Sequence, residues 1–287
     1  MCEKTIRAGE KMTKKLMIFI FIFLTLGLFI HIFAQFTPEE IAERERWEIF
    51  LQEAEITGSS RDYPVSEAVT EPWTLVLEKD GVTRKALWKN PEGLFKGYLD
   101  SWKYEIAAYR LDKLVGLNMV SPTVEKRFKG DRGSCQLMYE NVLMLRTKQE
   151  ENIKSPSYKV VPLNKATYLQ RAWDNLIANE DRNMGDVLYT EDWRMILADH
   201  GRAFRTSKKY TKKLIFDEKH KEGPKLMKRL PKAFVEKLKV LDFDLIRGAV
   251  GEYLTDEEIE AVLKRKDLII DWLDKRIKKL GEEEVLY

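Results

Sequence analysis

Asp181-Arg182-Asn183-Met184-Gly185-Asp186, followed thirteen residues later by Asp199 in Ile196-Leu197-Ala198-Asp199-His200-Gly201, decides how this chain is read. Between the two later acids lie Val187-Leu188-Tyr189 and Met195-Ile196-Leu197, two short strand-like runs. A hairpin built from them would bring Asp186 and Asp199 to one end, with Asp181 five residues before the first. Hard oxygen ligands spaced this way can grip one or two divalent cations, while a further carboxylate orients or deprotonates an acceptor hydroxyl. Singly, Asp181 could be a solvated loop residue and Asp186 the cap of a turn. Asp199 ends an apolar strand, where a buried carboxylate needs a partner or a metal.

Working outward, Lys165 to Ala178 is apolar at Tyr168, Leu169, Ala172, Trp173, Leu176 and Ile177, a helix leading into the Asp181 loop. Further helices are expected over 231–240, 243–250 and 255–279, the last opened by the capping box Thr255-Asp-Glu-Glu258. Upstream the pattern changes. Thr74 to Leu77 and Val82 to Lys89 are strand-like, and Asp80-Gly81 between them signals a hairpin turn. Trp102 to Leu114 is helical and stops at Gly116, and two more strands are expected over 120–125 and 135–140. Thr37-Pro38-Glu39-Glu40 opens a helix to about Glu55, and Gly58-Ser59-Ser60 breaks it. A strand-rich half followed by a helix-rich half predicts an α+β fold of two lobes meeting near Tyr139–Leu145.

A nucleotide site also needs a cation for the donor phosphates. Lys89 ends the second hairpin strand, and Glu105 in the next helix could pair with it and orient it. Taken singly, both are ordinary surface residues; the ordered set is what carries the reading. The protein kinase signature places a catalytic Asp, a metal-binding Asn five residues on, and a metal-binding Asp after a hairpin. With Asp186 in place of that Asn, the chain resembles the atypical branch of the kinase-like superfamily. That branch includes the phosphatidylinositol 3- and 4-kinases, the HipA-type kinases and the secretory kinases of the Golgi casein kinase type. Asp199-His200-Gly201-Arg202 is similar to the Asp-Asn-Gly-Arg stretch of the secretory kinases, which also resemble this chain in using an acidic residue at the position of Asp186. The resemblance covers about residues 56 to 280.

It implies a two-lobed kinase-like fold, ATP or another nucleoside triphosphate, and Mg²⁺ or Mn²⁺. Asp181 would be the catalytic carboxylate and Asp186 and Asp199 the metal ligands, with Lys89 on the phosphates and Glu105 holding Lys89. The activity implied is phosphoryl transfer to a hydroxyl of a protein, sugar or lipid headgroup. Two other readings stay open: a catalytically inactive binding or scaffolding relative, and a nucleotidyl transferase using the same cleft. No convincing glycine-rich phosphate loop precedes the hairpin; Gly58-Ser59-Ser60 is the best candidate. His200 is expected as a structural neighbour, because neither His31 nor His220 lies at a ligand-like spacing.

Composition bounds the rest. The 287 residues are 44% hydrophobic and 34% charged, enough for one large domain or two lobes around a sizeable core. Leu16 to Ala34 is an apolar run broken only by Thr25, Gly27 and His31, and Lys4, Arg7, Lys11, Lys14 and Lys15 precede it. That reads as an export signal, either cleaved near Ala34 or kept as a membrane anchor, with Met1 or Met12 as the start; the other reading is a buried core helix. The chain beyond Ala34 is then expected outside the cytoplasm, periplasmic or secreted in a bacterial member. The domains expected are 1–34 signal or anchor, 35–57 N-terminal helix, 58–145 strand-rich lobe and 146–287 helical lobe.

The net charge of +3 matches the excess of five basic over two acidic groups in residues 1–15 alone. The remainder is neutral, which argues against a nucleic-acid partner. Only Cys2 and Cys135 are present, so the exported part has no disulfide framework and no cysteine placed for lipid attachment. Arg205 to Lys239 carries thirteen basic and four acidic residues. An acidic acceptor, an anionic headgroup or a membrane surface would be attracted there; the alternative is a solvated flap.

Overall fold

The turn at Asp80-Gly81 organises the first half of the chain. Both residues have positive φ, 52° and 75°, as a tight two-residue hairpin turn requires. They join β2 (Trp73–Lys79) to β3 (Val82–Lys89). This computed structural model describes residues 35–61, 72–95, 97–215 and 227–287. The expected export run and the middle of the basic stretch lie outside the described residues. Among those described, no helix is long and apolar enough to cross a membrane.

The sheet runs β1 (Glu55–Ser60), β2, β3, β7 (Asp131–Leu137) and β6 (Thr123–Phe128), antiparallel throughout. Cross-strand pairs Leu75–Ala86–Leu137 and Trp73–Trp88–Cys135–Val124 put one face into an apolar core with Phe50 and Leu51. The strand period of two then places Lys89, beside Trp88, on the other face. β6 starts at Thr123 and not at Val120, since Pro122 has no N–H for a ladder. Val120 instead makes a lone parallel bridge to Leu197.

The helix expected from Thr37 to Glu55 is broken at Glu43 into α1 (Pro38–Ala42) and α2 (Arg44–Glu53). Gly58-Ser59-Ser60 is no phosphate loop: it lies in edge strand β1, where the register shifts between Ile56 and Gly58. Lys126 ends α2. Its buried ammonium donates to the carbonyls of Leu51, Gln52 and Ala54 at 2.9, 3.1 and 2.8 Å, taking helix-end acceptors that lack an intrahelical partner.

A second small hairpin, β4 (Glu92–Phe95) with β5 (Tyr98–Ser101), is inserted before α3 (Trp102–Val115). Two anchors pin the start of the described chain. Phe36 N donates to Asn118 O at 2.9 Å, and the Phe36 ring stacks on Tyr139 at 5.6 Å. Arg44 pairs with buried Asp112 of α3 at 2.9 Å, and Asp112 also accepts from the amides of Met119 and Val120 at 2.8 and 3.0 Å.

The second half is mainly helical: α4 (Leu145–Glu150), α5 (Val160–Ile177), α6 (Lys208–Thr211), α7 (Lys232–Val240), α8 (Phe243–Val250), α9 (Asp256–Leu280) and α10 (Glu282–Val285). A small sheet of β8 (Leu143–Met144), β9 (Val187–Tyr189) and β10 (Met195–Leu197) interrupts it. Its core joins Ile106 and Leu111 of α3 to Trp173, Leu238, Ile246, Ile259 and Ile269. α3 therefore packs with the helical core while its N-terminus follows the strand-rich half. The capping box at Thr255 and Glu258 is formed.

Candidate active site

Strand, helix and hairpin ends meet at one ammonium. Lys89, the last residue of β3, is buried, and its Nζ lies 2.8 Å from Glu105 Oε1 and 3.0 Å from Asp199 Oδ1. Burial opposes a charged lysine, but Asp199 and Glu105 outweigh it and hold the ammonium well above its usual range. Glu105, in the first turn of α3, also resists burial: Lys89, then His200, hold its carboxylate well below the usual range. Its second oxygen accepts from the His200 amide at 3.0 Å.

The β9–β10 hairpin aligns the two expected metal ligands. Ala198 N donates to Asp186 O at 2.9 Å, tying the residue before Asp199 to the position of Asp186. Burial, then the nearby Asp199 carboxylate, push Asp186 up to about 7. Asp186 Oδ2 accepts from Asn183 N at 3.0 Å. Asp199 has φ 53°, a left-handed backbone rare for a residue other than glycine, and its side chain is 53% exposed. Two hard carboxylates whose charges repel each other are a donor set suited to Mg²⁺ or Mn²⁺. Among the described residues, no cluster of three or more His, Cys, Asp or Glu side chains forms a complete metal shell.

Asp181 stands apart from the buried ammonium. Its side chain is half exposed, and Oδ2 accepts from Arg202 Nη1 at 2.8 Å. Arg202 Nε also reaches Asp100 Oδ2 at 3.3 Å. Asp100, at the end of β5, was not anticipated: neither its spacing nor its neighbours signal a buried acid. Burial, then Asp199, raise its proton affinity. A Cβ at Gly201 would overlap the Asp100 carboxylate, so a larger residue there would have to turn that carboxylate away from its present place.

Arg182 is the second unanticipated element. It is paired with buried Asp174 of α5 at 3.0 Å, and it donates to the carbonyls of Asp186 (3.4 Å) and Ala198. One guanidinium thus braces the loops that carry both expected metal ligands. His200 is fully buried, and its Nε2 meets two donors, Trp173 Nε1 at 3.3 Å and Arg182 Nη2 at 3.0 Å. That assigns its proton to Nδ1, on the side of Glu105 Oε2 at 3.6 Å. Burial lowers its proton affinity, in keeping with a neutral ring that serves the frame.

No protein-family model and no curated protein matches the sequence. Solved structures do. A structure of hydra Fam20 with sugar superposes with a TM-score of 0.61 at 15% identity, over 86% of this chain and 92% of that one. The Helicobacter pylori proinflammatory kinase CtkA superposes with a TM-score of 0.50 at 13% identity, over 80% of this chain and 98% of that one. With its antiparallel sheet, its helical second half and the buried lysine between them, this chain has an α+β, kinase-like fold, the fold of these two structures.

Proposed function

We propose that this protein is a phosphotransferase that moves a phosphoryl group from ATP to a hydroxyl acceptor. The observation that carries the reading is the buried Lys89 ammonium bridging Glu105 and Asp199. In this role Lys89 binds the donor phosphates, and Glu105 keeps its ammonium charged and aimed. Asp186 and Asp199 would be the residues that hold Mg²⁺ or Mn²⁺. When bound, the metal neutralises charge on the phosphate oxygens. Asp181 orients the acceptor hydroxyl and takes its proton through the oxygen that Arg202 leaves free. Arg202 and Arg182 keep these carboxylates in register.

An extracytoplasmic protein, periplasmic or secreted, remains our reading of the basic and apolar residues 1–34. The acceptor is a hydroxyl compound, and the basic residues after Asp199 favour one with acidic or anionic character.

Incubation of the protein with γ-labelled ATP and Mg²⁺ or Mn²⁺ tests the reading across protein, sugar and lipid acceptors. Label should pass to one acceptor class, and Asp181→Asn should spare nucleotide binding while lowering turnover about 10²–10⁴-fold. Retention of label from the α-phosphate would indicate nucleotidyl transfer instead. Metal-dependent nucleotide binding with no transfer to any class would indicate an inactive relative.

A further inference from the structure

The β4–β5 hairpin has no role in the chemistry above, yet it bears bulky apolar groups in water. Among the described residues its strands pair only with each other. Leu94 is 76% exposed, and its cross-strand partner Leu99 and the adjacent Tyr98 are each 49% exposed. A free two-stranded hairpin is marginal in water, so apolar groups crowded near its end call for something that covers them.

The neighbouring charge says what. The guanidinium groups of Arg202 and Arg205 lie over the Tyr98 ring at 5.3 and 5.2 Å, so the hairpin adjoins the segment after Gly201. Residues 205–213 contain five basic residues and no acidic one, and Lys208, Lys209, Lys212 and Lys213 are exposed. Lys209 is paired with Glu180 at 2.7 Å, so the excess positive charge of this segment rests on Arg205, Lys208, Lys212 and Lys213.

We propose that this hairpin and the adjoining lysines form a docking surface for an anionic lipid membrane. Leu94 and Leu99 would enter the interfacial layer on one face of the hairpin, and Tyr98 would sit at headgroup depth on the other. The lysines would meet the anionic headgroups. A layer can cover both faces at once, whereas a peptide adding to a strand edge would leave these faces in water. The surface borders the site, because Arg202 touches both Tyr98 and Asp181. The proposal concerns membrane binding and stands whether or not the protein transfers phosphate.

The apolar run at 16–34 can itself partition into lipid, so the readout must come from the hairpin. Full-length protein carrying Cys2→Ser and Leu94→Cys is labelled with an environment-sensitive nitrobenzoxadiazole probe; Cys135 is buried. Phosphatidylserine-containing vesicles should blue-shift and brighten the probe, phosphatidylcholine vesicles should not, and high salt should reverse the change. Lys208→Ala with Lys212→Ala should lower the ratio of inserted to free hairpin about 25-fold, at about fivefold per lysine on an anionic leaflet. A probe at Leu99→Cys should report the same if Leu94→Cys does not fold. An unchanged spectrum in phosphatidylserine overturns the proposal. So does an equal response to both vesicles, or a matching response to polyglutamate without lipid, which would assign the surface to an acidic polypeptide.

Discussion

Glu105 and Asp112 are both buried carboxylates on α3, two turns apart on one side of the helix, and each faces a cation. Their surroundings are built to opposite ends. Asp112 is closed: Arg44 and two backbone amides occupy it, and the pair is sealed from water. Glu105 is one link in an open cluster, whose far end is the exposed side of Asp199 on a left-handed backbone. The closed cluster spends its bonding capacity on holding α2 against α3. The open one leaves carboxylate oxygen exposed to solvent, where a ligand can use it.

The contrast fails most visibly if the two clusters respond alike to truncation. Asp112→Ala strands a buried guanidinium and should cost about 3–5 kcal/mol of stability in urea unfolding. Asp199→Ala should cost about 1 kcal/mol or less, since Lys89 keeps Glu105, yet it should abolish metal-dependent nucleotide binding in calorimetry. Equal destabilisation would erase the division between a cluster for folding and a cluster for binding.

Lys126 sharpens the comparison from the other side, being a buried ammonium used only by carbonyls. Lys126→Met should lower stability by about 2–3 kcal/mol, read from the urea midpoint, and leave nucleotide affinity unchanged. A fall in affinity would mean that the α2 end reaches the cleft.

The smallest effect concerns Cys135, on the apolar face opposite Lys89, whose thiol burial pushes up to about 12. An unfolded thiol ionises near about 8.5. The folded value is the higher one, so the contribution to stability is complete below that pH and fades as pH rises toward 12. The native thiol should resist a disulfide exchange reagent at about pH 9, and the extra alkaline loss of stability should vanish in Cys135→Ala. Reaction in the native state would show that the apolar face is open.

Much of the fold was legible because it rests on short-range rules. Period-two alternation flanked Asp80-Gly81, capping boxes opened α1 and α9, and an apolar stripe marked α5. The candidate residues Lys89, Glu105 and Asp199 could be named from order and spacing, since a strand end, a helix start and a hairpin end carry them. What escaped depended on contacts distant in sequence. Lys126 decides where α2 stops from more than seventy residues away, and Pro122 moves a strand start that the apolar pattern placed earlier. Asp100 and Arg182 are ordinary charged residues in sequence and become buried only once β5 meets Gly201 and α5 meets the Asp181 loop. The β4–β5 hairpin has no turn signal strong enough to announce it.

The attachment of Phe36 bears on how the halves move. Its ring lies flat on Tyr139, in the passage from sheet to helices, and its amide is fastened to Asn118 beyond α3. The chain just after residue 34 is thus a clasp on the joint between the lobes and not a loose leash. Removing Phe36 would therefore take away a contact to Tyr139 and a bond to Asn118 at that joint.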